Sequence, residues 1–408
     1  MRVGVVAIGV LLSATAVPAQ ERLVGARSGG IGASLDLVSF GDGARQYAFG
    51  GLDSVRVLRV SQLTVPVAAS SSLGAGWRLD VTALHSQGRV TYKDAAGGAR
   101  HAVALGGMSD VRLRATGRLV GDALTVTLGS NIPTGRTDLD GSRFSALRVL
   151  AAPALALGST PVGTGPSGTV GVVLARQAGP WSLAGGASYE HRGTYQPIAA
   201  LVAGAPSADY RPGGVARASF GAERLVGQGR LSLALATDVF AQDRLRGIAE
   251  GSSPGAAPST LATVRLGPVL TADAQWQLGT TRWRDVVLYG SYLWRAAYAR
   301  DGITATGSSG RYVEGGVRGG YPLRPRTDLV VAASGRWHSG LEADGALTTA
   351  GVRAADVTMG LRARRGLLSA EPFVRAQGGT LVVRSGLDTR DRPGFIGLTT
   401  GLVLHGTF

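Results

Sequence analysis

The sequence predicts an all-β chain, folded as a transmembrane antiparallel up-and-down β-barrel of about 16 strands. Glycine supplies 63 of 408 residues while mean hydropathy stays at +0.14, and no collagen period accompanies it. Alternating strands joined by glycine-rich turns produce that mix, whereas a soluble α/β chain would show helical periods. The last stretch, Phe395 to Phe408, puts Ile396, Leu398, Leu402, Leu404 and Phe408 on one parity and Thr399, Gly401 and His405 on the other. Residues two apart share a strand face, so one side is greasy and the other small or polar. In hydrocarbon an unpaired strand edge costs several kcal/mol per backbone group, so a terminal strand of this kind must pair with the first.

From the start of the chain, Met1-Arg2 is a basic lead, Val3 to Leu12 is apolar, and Val17-Pro18-Ala19 offers a cleavage site. Residues 1–19 therefore read as a secretory signal peptide and 20–408 as the barrel. No stretch reaches the ~20 apolar residues of a membrane helix. The chain has no cysteine, which removes a lipid anchor on sulfur, disulfides and thiolate chemistry. The terminal phenylalanine after alternate apolar residues resembles the C-terminal signature of Gram-negative outer-membrane β-barrels, with Gly406 as a departure. That resemblance implies the outer membrane as location, its lipids and the barrel-assembly machinery as partners, and Phe408 as the assembly signal.

Net charge is +15, from 42 basic and 27 acidic residues, and the pI is near 11.0. The basic residues are scattered singly along strands rather than gathered in a patch or on a helix, so no nucleic-acid partner is expected.

The expected strands follow in order. Residues 31–40 form the first, a loop covers 41–53, and 55–67 is the least regular strand. Trp77, Leu79, Val81 and Ala83 then alternate with Arg78, Asp80 and Thr82. Val111, Leu113 and Ala115 oppose Arg112, Arg114, Thr116 and Arg118, and a Gly121-Asp122 turn returns the chain through Leu124, Val126 and Leu128. Further strands are expected at 169–177, 181–191, 215–223, 230–240, 261–278, 282–300, 311–321, 327–338, 352–364, 367–378 and the terminus. Short connections alternate with long ones, the asymmetry of periplasmic turns and external loops. An N-terminal segment folded into the lumen would reduce the count to about 14. Trp77, Trp181, Trp276 and Trp283 lie near the short turns, where an interfacial girdle belongs.

Candidate motifs mostly dissolve on inspection. Gly163 to Gly168 matches GxGxxG but leads into a valine-rich strand rather than a helix. His85-Ser86, Glu190-His191 and His338-Ser339 are neighbours on strands, so their side chains point to opposite faces and cannot act as a base–nucleophile pair. No enzyme activity, metal or cofactor is expected. Two sets of residues carry more. Gly107-Met108-Ser109-Asp110-Val111 with Asn131-Ile132-Pro133-Thr134-Gly135, and Ser188 to Pro197 with Asp209 to Gly213, are similar to motifs of the outer-membrane barrels of phenol and aromatic degradation, related to FadL-type transporters. The resemblance implies passive uptake of a small hydrophobic or aromatic compound. A helical spacing of Phe144, Leu147, Leu150 and Ala151 within 142–157 fits either an external helix or one folded into the pore.

Alternation then assigns the inner face. Pore-lining candidates are Arg78, Asp80, Arg112, Arg114, Arg118, Glu314, Arg318, Arg336, Arg362, Glu371 and Arg375. Two roles are open to them: ion pairs that stiffen the wall, chiefly Arg78/Asp80, Glu314/Arg318 and Glu371/Arg375, or a basic constriction favouring anions. The expected function is a passive channel for small hydrophobic or aromatic solutes, acidic ones included. The alternative is a structural or adhesive barrel with a filled lumen and working external loops.

Overall fold

The structure, a computed structural model, describes residues 28–407 apart from 50–51, 75, 95–97, 121–122, 158–161, 199–207, 249–256, 281, 341–346 and 383–391. The expected leader and Phe408 lie outside those residues. The barrel wall runs through β1 (Ser28–Phe49), β2 (Leu52–Gly74), β3 (Trp77–Asp94), then β4 (Arg100–Met108) and β5 (Val111–Leu119) end to end. It continues through β6 (Leu124–Ile132), β7 (Ser167–Ala178) and β8 (Trp181–Arg192). After a first excursion, β9 (Tyr195–Ile198) and β10 (Ala208–Arg211), come β11 (Val215–Val226) and β12 (Gly229–Phe240). A second excursion, β13 (Asp243–Gly247) and β14 (Ser259–Arg265), precedes β15 (Val269–Leu278) and β16 (Arg284–Arg295). A third, β17 (Ala299–Arg300) and β18 (Ile303–Thr304), precedes β19 (Gly310–Arg324), β20 (Thr327–His338), β21 (Gly351–Arg365), β22 (Leu368–Val382) and β23 (Gly394–Thr407).

Every wall neighbour is antiparallel, and the last strand closes on the first with Ile31 opposite Leu404, Asp36 opposite Thr399 and Phe40 opposite Phe395. Because β3 pairs with β4 along its outer half and β5 along its inner half, those two pieces count once and the closed barrel has 16 strand positions. Register follows the apolar alternation: Leu124, Val126 and Leu128 stand opposite Leu174, Val172 and Val170, all pointing outward. Slipping one residue would turn that set into the lumen and place Thr125 and Thr127 in hydrocarbon. Outward residues such as Val170 and Leu174 are 51% and 63% exposed, an apolar exterior that only lipid can cover. Trp77, Trp181, Trp276 and Trp283 face outward near the short-turn rim, and Trp294 and Trp337 face outward near the other. At the short-turn rim Arg224 lies over the Trp181 ring, 5.7 Å from its centroid, which lets a lipid-side guanidinium reach the interface.

Several boundaries differ from the sequence expectation. Residues 41–49 do not loop out but extend β1, across a bulge between Ser39 and Ala44 where Gly43 takes φ +79°. The strand expected at 55–67 grows into the 23 residues of β2, whose end at Ser70 to Gly74 stays paired with β3. β4 was not anticipated, because Arg100 to Met108 alternates too weakly to stand out. The single strands expected over 261–278 and 282–300 are each broken, near Gly267-Pro268 and at residues 296–298.

Those breaks form a crease above the wall. Beyond it the three excursions pair in the order β18-β17-β14-β13-β10-β9 as a separate six-stranded sheet. Gly213 and Gly267 make the crease possible, since a Cβ on either would collide with the carbonyl of Ala241 or Ala296 on the adjacent chain.

The helical spacing at 142–157 resolves into α1 (Gly141–Leu150) and a 3-10 turn at Pro153–Leu155. Asp140 caps α1 by accepting from the Arg143 N–H at 2.8 Å, and Pro153 stops any continuation. The segment folds inward. Val149, Leu150 and Leu155 are sealed against inward Val38, Phe40, Val90, Leu105 and Phe395 of the wall, and Leu347 joins from the connection before β21. Leu150 lies so close over Gly88 that a Cβ there would strike it.

Candidate functional site

Two-residue alternation sets which side chains enter the lumen, and the cross-strand register decides whom they meet. From β19 round to β1 the inner face is a connected set of ion pairs. Arg318 reaches Glu371 at 3.1 Å and Arg362 reaches the same carboxylate at 2.7 Å. Asp328, buried, lies between Arg364 at 3.1 Å and Arg284 at 3.4 Å. Asp36, also buried, accepts from Thr399 Oγ1 at 2.6 Å and from Arg375 at 3.4 Å. Glu314 takes the hydroxyl of Tyr312 beside it. The same-strand couples expected for Glu314/Arg318 and Glu371/Arg375 do not form: Glu371 turns to Arg318 and Arg362 and Arg375 to Asp36, all on other strands, while Glu314 takes Tyr312 on its own. Arg78 and Asp80 do pair along their strand, at 2.8 Å.

Arg336 needs a separate correction. It faces inward but is only 6% exposed, bonded to Gln377 Oε1 at 2.9 Å and to the Ala154 carbonyl at 3.4 Å beneath the inward segment. A guanidinium covered in this way holds the segment down and offers little field to a passing solute.

The opposite part of the wall is different. Arg112, Arg114 and Arg118 project inward from β5, are exposed, and make no side-chain hydrogen bond or ion pair among the described residues. Arg114 stands opposite Asp80, whose carboxylate is engaged by Arg78. Further round, inward Ser219, Ala234, Asp273 and Gln275 are also exposed, so water reaches the inner face there. Small and polar inward residues leave space where the other side is filled.

Asp110, the one acid on the Arg112 face of its strand, is taken up elsewhere. It lies between β4 and β5, 4% exposed, and accepts from Asn131 Nδ2 at 2.9 Å, Gly135 N at 2.9 Å and Thr164 N at 2.6 Å. Asn131 also donates to the Gly165 carbonyl at 2.7 Å. On the other side of Gly165 sits Tyr195, edge-on to Tyr210 with ring centroids 5.5 Å apart. Tyr210 donates to Asp243 Oδ2 at 2.5 Å, whose other oxygen accepts from Gly213 N at 2.6 Å and lies 3.6 Å from Arg192. Burial pushes the Tyr195 hydroxyl up to about 12, opposed by Arg192 and helped by Asp243 and Asp110. Burial, with the Asp243 carboxylate beside it, raises Tyr210 as well.

All four quoted motif stretches thus converge on one junction. It ties both ends of the inward segment to the wall and to the creased sheet. Gly163 and Gly165 of the GxGxxG match serve here too, as close-approach positions beside Asp110 and Tyr195. Of the dipeptides with a hydrolase look, His85 is outward and Ser86 inward and buried, and Glu190 and His191 divide likewise.

This is a closed antiparallel β-barrel of 16 strands. Among solved structures it is similar to a Pseudomonas aeruginosa FadL homologue, at 9% identity over 94% of this chain and 90% of that one, TM-score 0.45. It is also similar to the TodX deltaS2S3 mutant monoaromatic hydrocarbon channel, at 11% identity over 94% and 91%, TM-score 0.45. Pseudomonas putida OprB at high pH is a third, at 12% identity over 94% of each chain, TM-score 0.43. No family model and no curated protein matches. Sequence reasoning missed Asp36, Gln377, Thr399 and Asp243, whose roles come from partners far along the chain.

Proposed function

We infer that the barrel is a passive outer-membrane channel for small solutes with an aromatic or apolar body, acidic ones included. The observation that carries this reading is Arg112, Arg114 and Arg118, three exposed arginines with no ion-pair partner among the described residues, on a stretch of inner wall that water reaches. Guanidinium groups without acid partners enrich anions in a low-dielectric passage, and Tyr289 and Phe373, also inward, offer faces for rings. A filled barrel with a working external surface is the second reading. The sealed apolar cluster under the inward segment and the six-stranded sheet outside favour it.

Planar-bilayer recordings separate the two, since a filled lumen gives no steady conductance. In the conducting protein, Arg112→Glu with Arg114→Glu should leave heat-modifiable migration intact and move the reversal potential toward cation selectivity. Uptake of acidic aromatics should slow relative to neutral ones. Unchanged ion selectivity in the inserted double variant removes the role given to these arginines.

A further inference from the structure

The creased sheet has two dissimilar faces. One is buried: Ala208, Tyr210, Asp243 and Ala262 lie on it, and through Tyr195 it rests on Gly165 of the inward segment. The other looks away from the lumen and carries Arg211, Arg244, Arg246 and Arg265, all exposed. Arg211 stands directly opposite Arg244, and Arg246 follows on the same face two residues on. Arg265 is two residues from Thr263, the residue opposite Arg244. None of the four has an ion pair or side-chain hydrogen bond among the described residues. Among the described residues two acids reach this face and each is held by a neighbour: Asp209, opposite Arg246, accepts from Gln196 at 3.0 Å, and Asp301 accepts from Thr263 Oγ1 at 3.2 Å.

Like charges directly across a sheet repel, and four guanidiniums against the two acids near them leave this face with an excess of positive charge. The patch also has a fixed height. The outward row Thr237, Leu270 and Trp294 closes the apolar band on these strands. Arg244 follows Thr237 by about seven residues, at most roughly 23 Å of extended chain and less across the crease. With the long connections external, as the sequence predicts, that height falls at the headgroup layer of the outer leaflet, where glycolipids carry phosphates.

We propose that Arg211, Arg244, Arg246 and Arg265 form a docking surface for the phosphorylated headgroup of an outer-leaflet glycolipid, lipopolysaccharide. Planar guanidiniums pair with phosphate oxygens two at a time, and a diphosphorylated headgroup can span the Arg211–Arg244 row and its neighbours. Docking there would brace the creased sheet against the membrane. The test uses the full-length purified barrel in detergent, titrated with lipopolysaccharide and read by co-elution and by the temperature at which the heat-modifiable band converts. Wild type should retain the glycolipid, convert at a higher temperature with it, and bind more weakly as salt rises from about 0.05 to 0.5 M. Arg211→Gln, Arg244→Gln, Arg246→Gln and Arg265→Gln together should weaken binding at least tenfold, and wild type should ignore the dephosphorylated glycolipid. If the fourfold variant does not fold, Arg211→Gln with Arg244→Gln should still lower affinity several-fold. Equal binding by a folded variant overturns the site, and equal stabilisation by inorganic pyrophosphate overturns the lipid as its ligand. Conductance should be the same with and without the four arginines, so either failure leaves the channel reading untouched.

Discussion

Asp36 and Asp110 are both buried acids on the inner face with an arginine nearby: Arg375 across β23 from Asp36, and Arg112 two residues on from Asp110. Asp36 is given to Thr399 and Arg375, whereas Asp110 is given to the backbone of the inward segment and to Asn131. The consequence differs for the arginines nearby. Arg375 is neutralised and stiffens the seam where β1 meets β23, while Arg112 and Arg114 keep their charge for the lumen. An identical residue type thus either closes a wall or frees a field, according to which donors the chain delivers to it. Arginine content alone therefore does not measure how basic the passage is.

The largest effect belongs to the diverted acid. Asp110→Ala leaves the N–H donors of Gly135 and Thr164 without an acceptor and takes one of its acceptors from the Asn131 amide, at a cost of about 3–5 kcal/mol. The inward segment should loosen at both ends, raising conductance noise and opening residues 133–166 to protease while the barrel itself stays inserted. A variant as resistant to protease as the wild type would mean the junction is held by the apolar cluster instead.

Asp36→Ala tests the other half. Thr399 loses its acceptor and Arg375 its acid, so the closing seam should weaken by about 2–3 kcal/mol, seen as earlier heat conversion with ion selectivity unchanged. A shift in selectivity would show that the two halves share one field and would dissolve the contrast.

How much of this was legible depends on range. The strand rhythm, the inward parity of Arg112 and Arg114, and the helical spacing around Leu147 and Leu150 are local, and two- and 3.6-residue periods expose them. Partners are not local: Asp36 and Arg375 lie 339 positions apart, and Asp110 and Thr164 lie 54 apart. Alternation told that Glu371 and Arg375 share a face, but only register shows that each turns to a different strand. The crease was hidden for another reason, since the breaks near Gly267-Pro268 and at residues 296–298 interrupt strands whose alternation resumes almost at once.

The junction should also respond to alkali. Tyr195 is raised to about 12 and Tyr210 is raised further, while an unfolded tyrosine titrates near 10. Below pH 10 both states hold the proton, so the contribution is fully present. Above it the unfolded state sheds protons first, and stability falls as pH rises from 10 toward 12. Protease sensitivity around Gly165 and Pro212 should rise across that window together with tyrosinate absorbance. Tyr210→Phe should lose part of the response, and no change between pH 10 and 12 would detach these rings from the latch.

The smallest effect distinguishes a shared acid from a private one. Asp328 is buried between two half-exposed arginines, Arg364 at 3.1 Å and Arg284 at 3.4 Å. Removing either cation leaves the other in place. Arg364→Gln should therefore cost no more than about 1 kcal/mol, the range of partly exposed pairs. Arg284→Gln should cost about as little. The double variant leaves a buried carboxylate with neither guanidinium, and its cost should exceed the sum of the singles, reaching about 3 kcal/mol. Heat-conversion midpoints of the four proteins form the cycle. Additive single effects would mean that water already solvates Asp328, and that the paired half of the wall is wetter than its burial indicates.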